Sequence, residues 1–371
     1  MRGYTKYIAL FLIVVTTACV DRINFDVGGA TEYPVVVEGF ITDQPGPYEV
    51  TVTRAFDVES KLSIKTFLNV RKIELFDNIG NVEQFTKIAD GKYRTQGLIQ
   101  GIVGRAYNVK VELLDGRIYE STPDTLQPTG TVDKLDHELV FYTNKKGIPE
   151  YGFDIFFDSQ AGENTEFQFM WKTAMTYQVA TSPENHRVAC GGGTCPDPLD
   201  CSGYIWNDQT NSLQYVKPCT CCHCWITINQ EIPVVSDNEL VKNGKFVHIK
   251  AGRLPITGLT MAYKTHVEVQ QFSLSQQAYA FWKAVKAQKE AITSLFQPLN
   301  GKIVGNFVQV SGEPGAMQGI FYASAVTKNS IYLSIDDLPV KTIVPPIGVT
   351  FNYSCLDFAN SNNIQPDFWV P

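Results

Sequence analysis

The distribution of cysteine is the strongest constraint on how this chain folds. Of its nine cysteines, eight lie far from the N-terminus, seven of them within one short stretch. The eight are Cys190, Cys195, Cys201, Cys219, Cys221, Cys222, Cys224 and Cys355. If all eight pair as disulfides, Cys355 must bond back to the stretch in the middle of the chain, although sequence alone leaves about 105 pairings open. Such a bond would bring two distant segments together.

These cysteines have a second interpretation as metal ligands. The run from Cys219 to Cys224 contains four cysteines and His223, which are all residues that zinc accepts. It does not contain the two separate C-x₂-C pairs of structural zinc sites, and an oxidising compartment consumes thiolates. An even number of cysteines in an exported chain favours disulfides. We therefore expect disulfides, no metal site and no cofactor.

The N-terminus indicates export. Arg2 and Lys6 are followed by an apolar run from residue 7 to 15, then by the small residues 16–18 and by Cys19. The apolar run is shorter than the ~20 residues that a membrane-spanning helix needs. This order predicts a lipoprotein signal peptide over residues 1–18, a lipidated Cys19 and a tether over 19–32. Thr16 stands where such signals usually carry leucine, so a plain secretory signal, with Cys19 incidental, is the alternative.

Charge excludes some partners. The chain of 371 residues has 31 basic and 38 acidic side chains, and the predicted signal peptide contains two basic residues and no acidic one. The remaining chain is therefore acidic, which argues against binding nucleic acid or an anionic lipid surface. We expect the lipid on Cys19 to be its attachment to the membrane.

Residues 33–122 are predicted to form a β-sandwich similar to immunoglobulin modules. Apolar side chains alternate with polar ones at Tyr48, Val50 and Val52 and again from Tyr107 to Leu113, the period of half-buried strands. Turn signals separate such runs; one of them, Asp115-Gly116, has the form of a two-residue hairpin loop. About seven short strands are typical of a sandwich.

A second β-rich domain is predicted over residues 131–371. The segment 190–224 contains three successive glycines and three prolines besides its cysteines, and we interpret it as a disulfide-rich insertion. Apolar residues at spacings of three and four predict one long helix over 275–297, with Ser275 alone, or Ser273 with Gln276, as its N-terminal cap. Phe281 and Trp282 on that helix fit either a ligand surface or the core, and the core interpretation is favoured.

The sequence contains none of the common catalytic motifs. It has no G-x-S-x-G, no H-E-x-x-H, no phosphate-binding Gly-Lys-Ser/Thr loop and no dinucleotide-binding G-x-G-x-x-G. None of its histidines stands in a catalytic or metal-binding spacing; they are His137, His186, His223, His248 and His266. We predict that the protein is not an enzyme.

Several blocks resemble one family, the Bacteroidetes lipoproteins that carry domain of unknown function 4249. The blocks occur in the order 35–48, 107–121, 274–282, 294–298, 319–324 and 366–369. The resemblance implies a protein of the outer membrane, commonly encoded beside a TonB-dependent transporter. It also implies a disulfide between Cys224 and Cys355, so that the other six cysteines would pair among themselves. Cys221 and Cys222 are not expected to bond to each other, because the intervening peptide would be strained.

These observations lead to three functional hypotheses, of which a surface hydrolase without recognisable local motifs is the least favoured. The first is a non-enzymatic accessory lipoprotein, lipid-anchored at the cell surface, that captures a ligand for a TonB-dependent transporter. Its predicted contact residues are three aromatic residues of the insertion, Tyr204, Trp206 and Tyr215, which could equally pack over the disulfides. The alternative is a structural or assembly subunit of another outer-membrane complex.

Overall fold

A computed structural model describes residues 34–54, 66–162, 168–230, 232–237, 241–242, 244–292, 303–345 and 350–370. The predicted signal peptide 1–18, Cys19 and the tether 19–32 lie outside the described residues. The described chain is mainly β, with one α-helix, as the alternation of apolar residues predicts. That helix is α1, Gln276–Ile292.

The strands before the insertion are β1 Val35–Thr42, β2 Glu49–Arg54, β3 Thr66–Phe67, β4 Lys72–Asp77, β5 Val82–Gln84, β6 Thr86–Ala89, β7 Lys92–Arg94, β8 Ala106–Glu112, β9 Ile118–Ser121, β10 Asp124–Thr125, β11 Thr131–Thr143, β12 Pro149–Gln160 and β13 Phe169–Ala180. Those that follow are β14 Arg187–Cys190, β15 Gly193–Pro196, β16 Tyr204–Asn207, β17 Ser212–Tyr215, β18 His223–Asn229, β19 Val234–Val235, β20 Val241–Lys242, β21 Lys245–Pro255, β22 Lys264–Ser273, β23 Phe307–Ser311, β24 Met317–Ser324, β25 Val326–Ser334 and β26 Ser361–Asn362. Short 3₁₀ helices cover Pro183–Asn185, Asp200–Ser202, Ile335–Asp337, Lys341–Ile343 and Cys355–Asp357.

Two sheets form a first sandwich. One has the order β24, β1, β2, β7, β6, with β3 beside β2; the other has the order β23, β9, β8, β4, β5, with β10 beside β8. Alternate side chains point into one core, among them Val37, Val50 and Val109, all fully buried. The loop between β8 and β9 has three residues, 114–116, instead of the predicted two, because Leu113 and Arg117 are still joined by a backbone hydrogen bond.

Residues 33–122 do not complete this sandwich by themselves. Strand β24 runs parallel to β1 over its whole length, and β23 pairs with β9. Both strands come from the C-terminal part of the chain, after the entire insertion and α1. The second set of strands is therefore inserted into the first sandwich, and the last strands of that sandwich are supplied late in the sequence.

The pairing of β24 with β1 depends on Gly319. Its φ is +100°, and a Cβ atom there would lie 2.0 Å from the carbonyl oxygen of Val37. Both the backbone conformation and the close approach of the two strands therefore require glycine.

Gly319→Ala is expected to lower the free energy of unfolding by more than about 3 kcal/mol, because the added methyl must push β24 away from β1 in addition to straining the backbone. Gly80→Ala is the matched control: its φ is +97°, but a Cβ there meets nothing within 4 Å. It should cost only the backbone strain, about 1 kcal/mol. Urea denaturation measures both, and equal losses would show that the close approach to Val37 does not matter.

A second sandwich follows. Its sheets have the orders β11, β12, β21, β20 and β25, β22, β13, β18, β26, with β19 beside β13. Its core contains aromatic side chains from both sheets, such as Phe157, Trp171 and Phe246, which are buried to 1% exposure or less. The Trp171 indole donates a hydrogen bond of 2.8 Å to Gln271, so its polar atom is satisfied inside the core.

Helix α1 joins the two sandwiches from outside. Ala278 and Phe281 pack on Met170 and Phe272, which point away from the second core, and on Ile320 of β24. The helix begins where predicted, with the hydroxyl of Ser275 accepting a hydrogen bond of 3.1 Å from the backbone of Ala278. Its predicted last turn, 293–297, lies outside the described residues.

Buried hydrogen bonds fix the crossing of the chain between β24 and β25. The hydroxyl of Ser273 donates to the carbonyl of Gln127 at 2.6 Å and accepts from the backbone of Ala325 at 2.9 Å. The carboxylate of Asp124 accepts from the backbone of Ala323 at 2.8 Å. Burial raises the pKa of Asp124, while hydrogen bonds from Ser275 and Ala323 oppose that shift.

All eight cysteines outside the N-terminal segment form disulfides. The pairs are Cys190–Cys195, Cys201–Cys221, Cys219–Cys222 and Cys224–Cys355. The first three lie within the insertion and hold its two hairpins, β14–β15 and β16–β17. The fourth is the pair that the family resemblance implies, and it fixes the C-terminal segment to β18. There β26 pairs with β18, and Trp369 packs edge-on against Trp225.

Replacing Cys224 and Cys355 by serine is expected to lower the free energy of unfolding by about 2–5 kcal/mol, because this bond closes a loop of sequence separation 131. Cys190→Ser with Cys195→Ser, which opens a loop of separation 5, is the matched control and should cost less. Guanidinium denaturation monitored by Trp fluorescence compares the two. A larger loss in the control would contradict the role assigned to the long bond.

Candidate functional site

The candidate site is a pocket on the outer face of the first sandwich, beside α1. Its volume is about 460 Å³, within the range of small-molecule sites. It is lined by Glu38, Gly39, Phe40, Pro47, Tyr48, Glu49, Thr51, Lys172, Trp282, Ile320 and Tyr322. These residues come from β1, β2 and the loop before it, β13, β24 and α1, so the pocket exists only where the two sandwiches and the helix meet.

Strand alternation explains which side chains face the pocket. On β24, Phe321 points into the first core, and its neighbour Tyr322 therefore points outward. On β13, Trp171 belongs to the second core, and Lys172 points the other way, toward β1 and α1. The same alternation of side chains along β1 places Phe40 on the outer face of the first sandwich.

Lys172 is surrounded by aromatic rings. Its Nζ lies 4.7 Å from the ring centre of Phe272, 4.9 Å from that of Phe40 and 5.8 Å from that of Trp282. Such contacts stabilise an ammonium group but do not replace the water that it loses. Burial accordingly lowers the pKa of Lys172 to about 8, against the opposing charge of Glu38.

Two polar atoms beside the pocket are buried from solvent. They are the hydroxyl of Tyr322, a side chain only 2% exposed, and Nε1 of Trp282. The two rings pack edge-to-face with centroids 6.1 Å apart. Burial raises the pKa of Tyr322 strongly, and a hydrogen bond from the Trp282 indole partly opposes this shift. The two buried groups therefore interact with each other inside the wall of the pocket.

The remaining polar groups of the pocket are held by the protein. The carboxylate of Glu49 is paired with the guanidinium of Arg94. The hydroxyl of Tyr48 donates to the backbone carbonyls of Thr42 and Gln44, at 2.8 and 2.6 Å. Lys172 is the one cationic side chain in the lining, and no carboxylate among the described residues lies within ion-pair distance of it.

The predicted contact residues of the insertion lie on another part of the molecule and do not line the pocket. Tyr204 and Tyr215 face each other across the β16–β17 hairpin, with ring centroids 5.5 Å apart. Tyr215 is 63% exposed, whereas Tyr204 and Trp206 are partly buried. The hairpin also exposes Ile205, which pairs with Gln214 and therefore points to the opposite face from Tyr215.

The described residues contain no other arrangement with obvious chemistry. They include no group of three or more histidine, cysteine, aspartate or glutamate side chains able to hold a metal ion, and no helix among them is long and apolar enough to cross a membrane. His266 is buried, and its ring stacks on that of Phe368 with the ring centres 4.1 Å apart. Burial lowers the pKa of His266. A second cavity of about 420 Å³, beside Tyr263 and Phe351, has no charged residue in its lining.

Sequence reasoning did not identify Lys172. The signal was present, because Lys172 is the only charged residue in the twelve residues of β13. A single lysine in a strand of core residues indicates a position that faces something other than the core. Trp282 was weighed as a ligand-surface residue and assigned to the core; it both packs against the helix cluster and lines the pocket.

The structure is that of a disulfide-bonded protein of two β-sandwiches, with a pocket of aromatic, charged and polar side chains at their junction. A family model described as "Domain of unknown function (DUF4249)" matches residues 20–330, and the chain belongs to that family. No curated protein and no solved structure matches the chain.

Lys172→Met is expected to raise the free energy of unfolding at pH 7 by about 1–3 kcal/mol, because it removes a buried charge. Between pH 8 and the ordinary lysine value of 10.5 the unfolded chain binds more protons than the folded one, so the wild-type protein gains stability as pH rises through that window. The difference between variant and wild type should therefore shrink from pH 7 to pH 10.

Urea denaturation at both pH values tests this, with Lys283→Met as the control. Lys283 lies on α1, and its side chain is 54% exposed, so its removal should change stability by less than about 0.5 kcal/mol at either pH. A Lys172→Met protein that is less stable than wild type at pH 7 would show that the ring contacts outweigh the cost of burial.

Proposed function

We propose that this protein is a non-enzymatic, lipid-anchored accessory protein of the outer membrane, which captures a small ligand for a TonB-dependent transporter. The observation that carries the proposal is the pocket at the junction of the two sandwiches, where a partly buried lysine lies among three aromatic rings and has no carboxylate within ion-pair distance among the described residues. Proteins pay a stability cost for such groups mainly at functional sites.

Capture without catalysis fits the lining of the pocket. No histidine, cysteine or serine lines it, and one of its two carboxylates, Glu49, is paired with Arg94. The groups that remain are donors and aromatic faces, which hold a ligand without changing it.

Attachment to the membrane would supply the link to a transporter. A diacylated or triacylated Cys19 confines the protein to the membrane plane, since each buried CH₂ contributes about 0.8 kcal/mol. Confinement raises the effective concentration of two partners in the same membrane, so that a modest interface stays occupied. The exposed ring of Tyr215 on the β16–β17 hairpin is the part of the chain that we assign to this contact.

Affinity purification of the tagged full-length protein from detergent-solubilised outer membranes is expected to recover a TonB-dependent transporter in near one-to-one amount, quantified by mass spectrometry. Tyr215→Ala should reduce that recovery at least several-fold, because aromatic side chains dominate interface energies. Phe141→Ala is the matched control, since Phe141 is 64% exposed on a different hairpin, against 63% for Tyr215. It should leave recovery unchanged.

Cys19→Ala tests the lipid anchor in the same cells. Because this variant has no cysteine to carry the lipid, it should be recovered in the soluble fraction and not with the membranes. Recovery of the wild-type protein alone would contradict the transporter partnership. Recovery with other envelope proteins in constant ratio, and no transporter, would favour the structural or assembly role instead.

A further inference from the structure

The cavity beside Tyr263 and Phe351 is a second candidate site. Its volume is about 420 Å³, and it lies where β13 ends, whereas the first pocket contacts that strand near its start, at Lys172. Its walls are residues 178–182, the loop between β21 and β22, and residues 350–351. The two cavities share no lining residue, so a ligand in the second one is independent of the capture proposed for the first.

Hydrogen bonds within the protein hold the three walls in place. The backbone of Ser182 donates to the carbonyl of Phe351 at 2.8 Å. The backbone and the hydroxyl of Thr181 donate to two backbone carbonyls of the insertion, at 2.8 and 3.0 Å. In the loop, the hydroxyl of Thr260 donates to the carbonyl of Pro255 at 2.8 Å. The cavity is therefore pre-formed, which lowers the entropy cost of binding a ligand.

The polar groups of the cavity are uncharged. Gln178, Ser182 and Thr350 line it, and their side chains make no hydrogen bond within the part of the chain that the structure describes. Amide and hydroxyl groups both donate and accept, as do the hydroxyl groups of a sugar. An anion needs donors and a cation needs acceptors, and neither would find a counter-charge in this lining.

Aromatic and aliphatic side chains form the rest of the cavity. Tyr263 is 49% exposed, and among the described residues its ring contacts no other ring and its hydroxyl has no hydrogen bond. Phe351 is fixed edge-on against Phe358, with ring centroids 5.2 Å apart. Sugar rings combine an apolar C–H face, which packs on aromatic rings, with hydroxyl groups around the edge. Both parts of such a ligand thus have matching groups here.

We infer that this cavity binds an uncharged sugar of mono- or disaccharide size. One face of the sugar ring packs on Tyr263, and its hydroxyl groups exchange hydrogen bonds with Gln178, Ser182 and Thr350. A free sugar and the terminal unit of a longer glycan share this chemistry.

Ligand-observed NMR titration of the full-length, lipidated protein, in a detergent without a sugar head group, tests the inference. The probes are the methyl glycosides of glucose, galactose, mannose and N-acetylglucosamine, each with its uronic acid and its amino-sugar counterpart. At least one neutral glycoside is expected to bind at least about 10-fold more tightly than its two charged counterparts, because a charge would lose hydration without gaining a partner. Cyclohexylmethanol, which keeps an apolar ring without ring hydroxyls, should also bind more weakly.

Oligosaccharides of the bound sugar distinguish the two sources. Tighter binding of the oligosaccharide than of the methyl glycoside would identify the end of a glycan, and equal or weaker binding would identify the free sugar.

Three variants locate the site. Tyr263→Ala should weaken sugar binding at least about 5-fold, because it removes the ring on which the sugar packs. Tyr215→Ala is the matched control, since Tyr215 is 63% exposed but does not line the cavity, and it should change binding less than about 2-fold. Ser182→Ala and Gln178→Met should each weaken binding about 2- to 5-fold and leave the melting temperature unchanged.

The inference would be overturned if no neutral glycoside bound up to about 20 mM, or if the charged counterparts or cyclohexylmethanol bound equally well. Sugar binding that is unchanged by Tyr263→Ala would place it elsewhere on the molecule and overturn it as well. Tyr215→Ala is expected to reduce recovery of the transporter and to leave sugar binding intact. Recovery of a transporter without sugar binding would therefore refute only the sugar site, and sugar binding without a transporter would refute only the partnership.

Discussion

The parallel pairing of β24 with β1 is the interaction on which the rest of the structure depends. It completes the first sandwich with a strand that follows the whole second sandwich in sequence, and the next strand, β25, returns at once to the second sheet. The two sandwiches are therefore connected through adjacent strands of one chain segment. The buried hydrogen bonds of Ser273 and Asp124 fix the angle of that crossing. Helix α1 then covers the outer faces that the crossing brings together, and the pocket lies beside it.

The pocket has a cost in stability. Lys172, whose pKa is lowered by burial, destabilises the folded protein at neutral pH. The disulfides act in the other direction, and the bond between Cys224 and Cys355 closes the longest loop. Stabilisation of the second sandwich by that bond thus offsets part of the cost of burying Lys172.

Local patterns predicted the elements better than their connections. The alternation from Tyr107 to Leu113 and the helical spacing around Phe281 were sufficient to predict β8 and α1, because each reflects burial of one face. The same alternation cannot indicate which strand lies beside which, and β24 was accordingly grouped with the second domain. Lys172 was missed for a related reason: its role depends on rings from β1, β22 and α1, which meet it only after folding. The pairing of Cys224 with Cys355 came from family resemblance, since spacing alone left it open.

The late position of β24 has a consequence for biosynthesis. Chains are made from the N-terminus, so β1 exists long before the strand that must lie beside it. Contacts between such distant segments form slowly, because a long loop must close first. A chain that ends before Met317 therefore has an unclosed sandwich and no wall for Tyr322 to form. The pocket therefore cannot be completed until β24 has been made, after every strand of the second sandwich except β25 and β26.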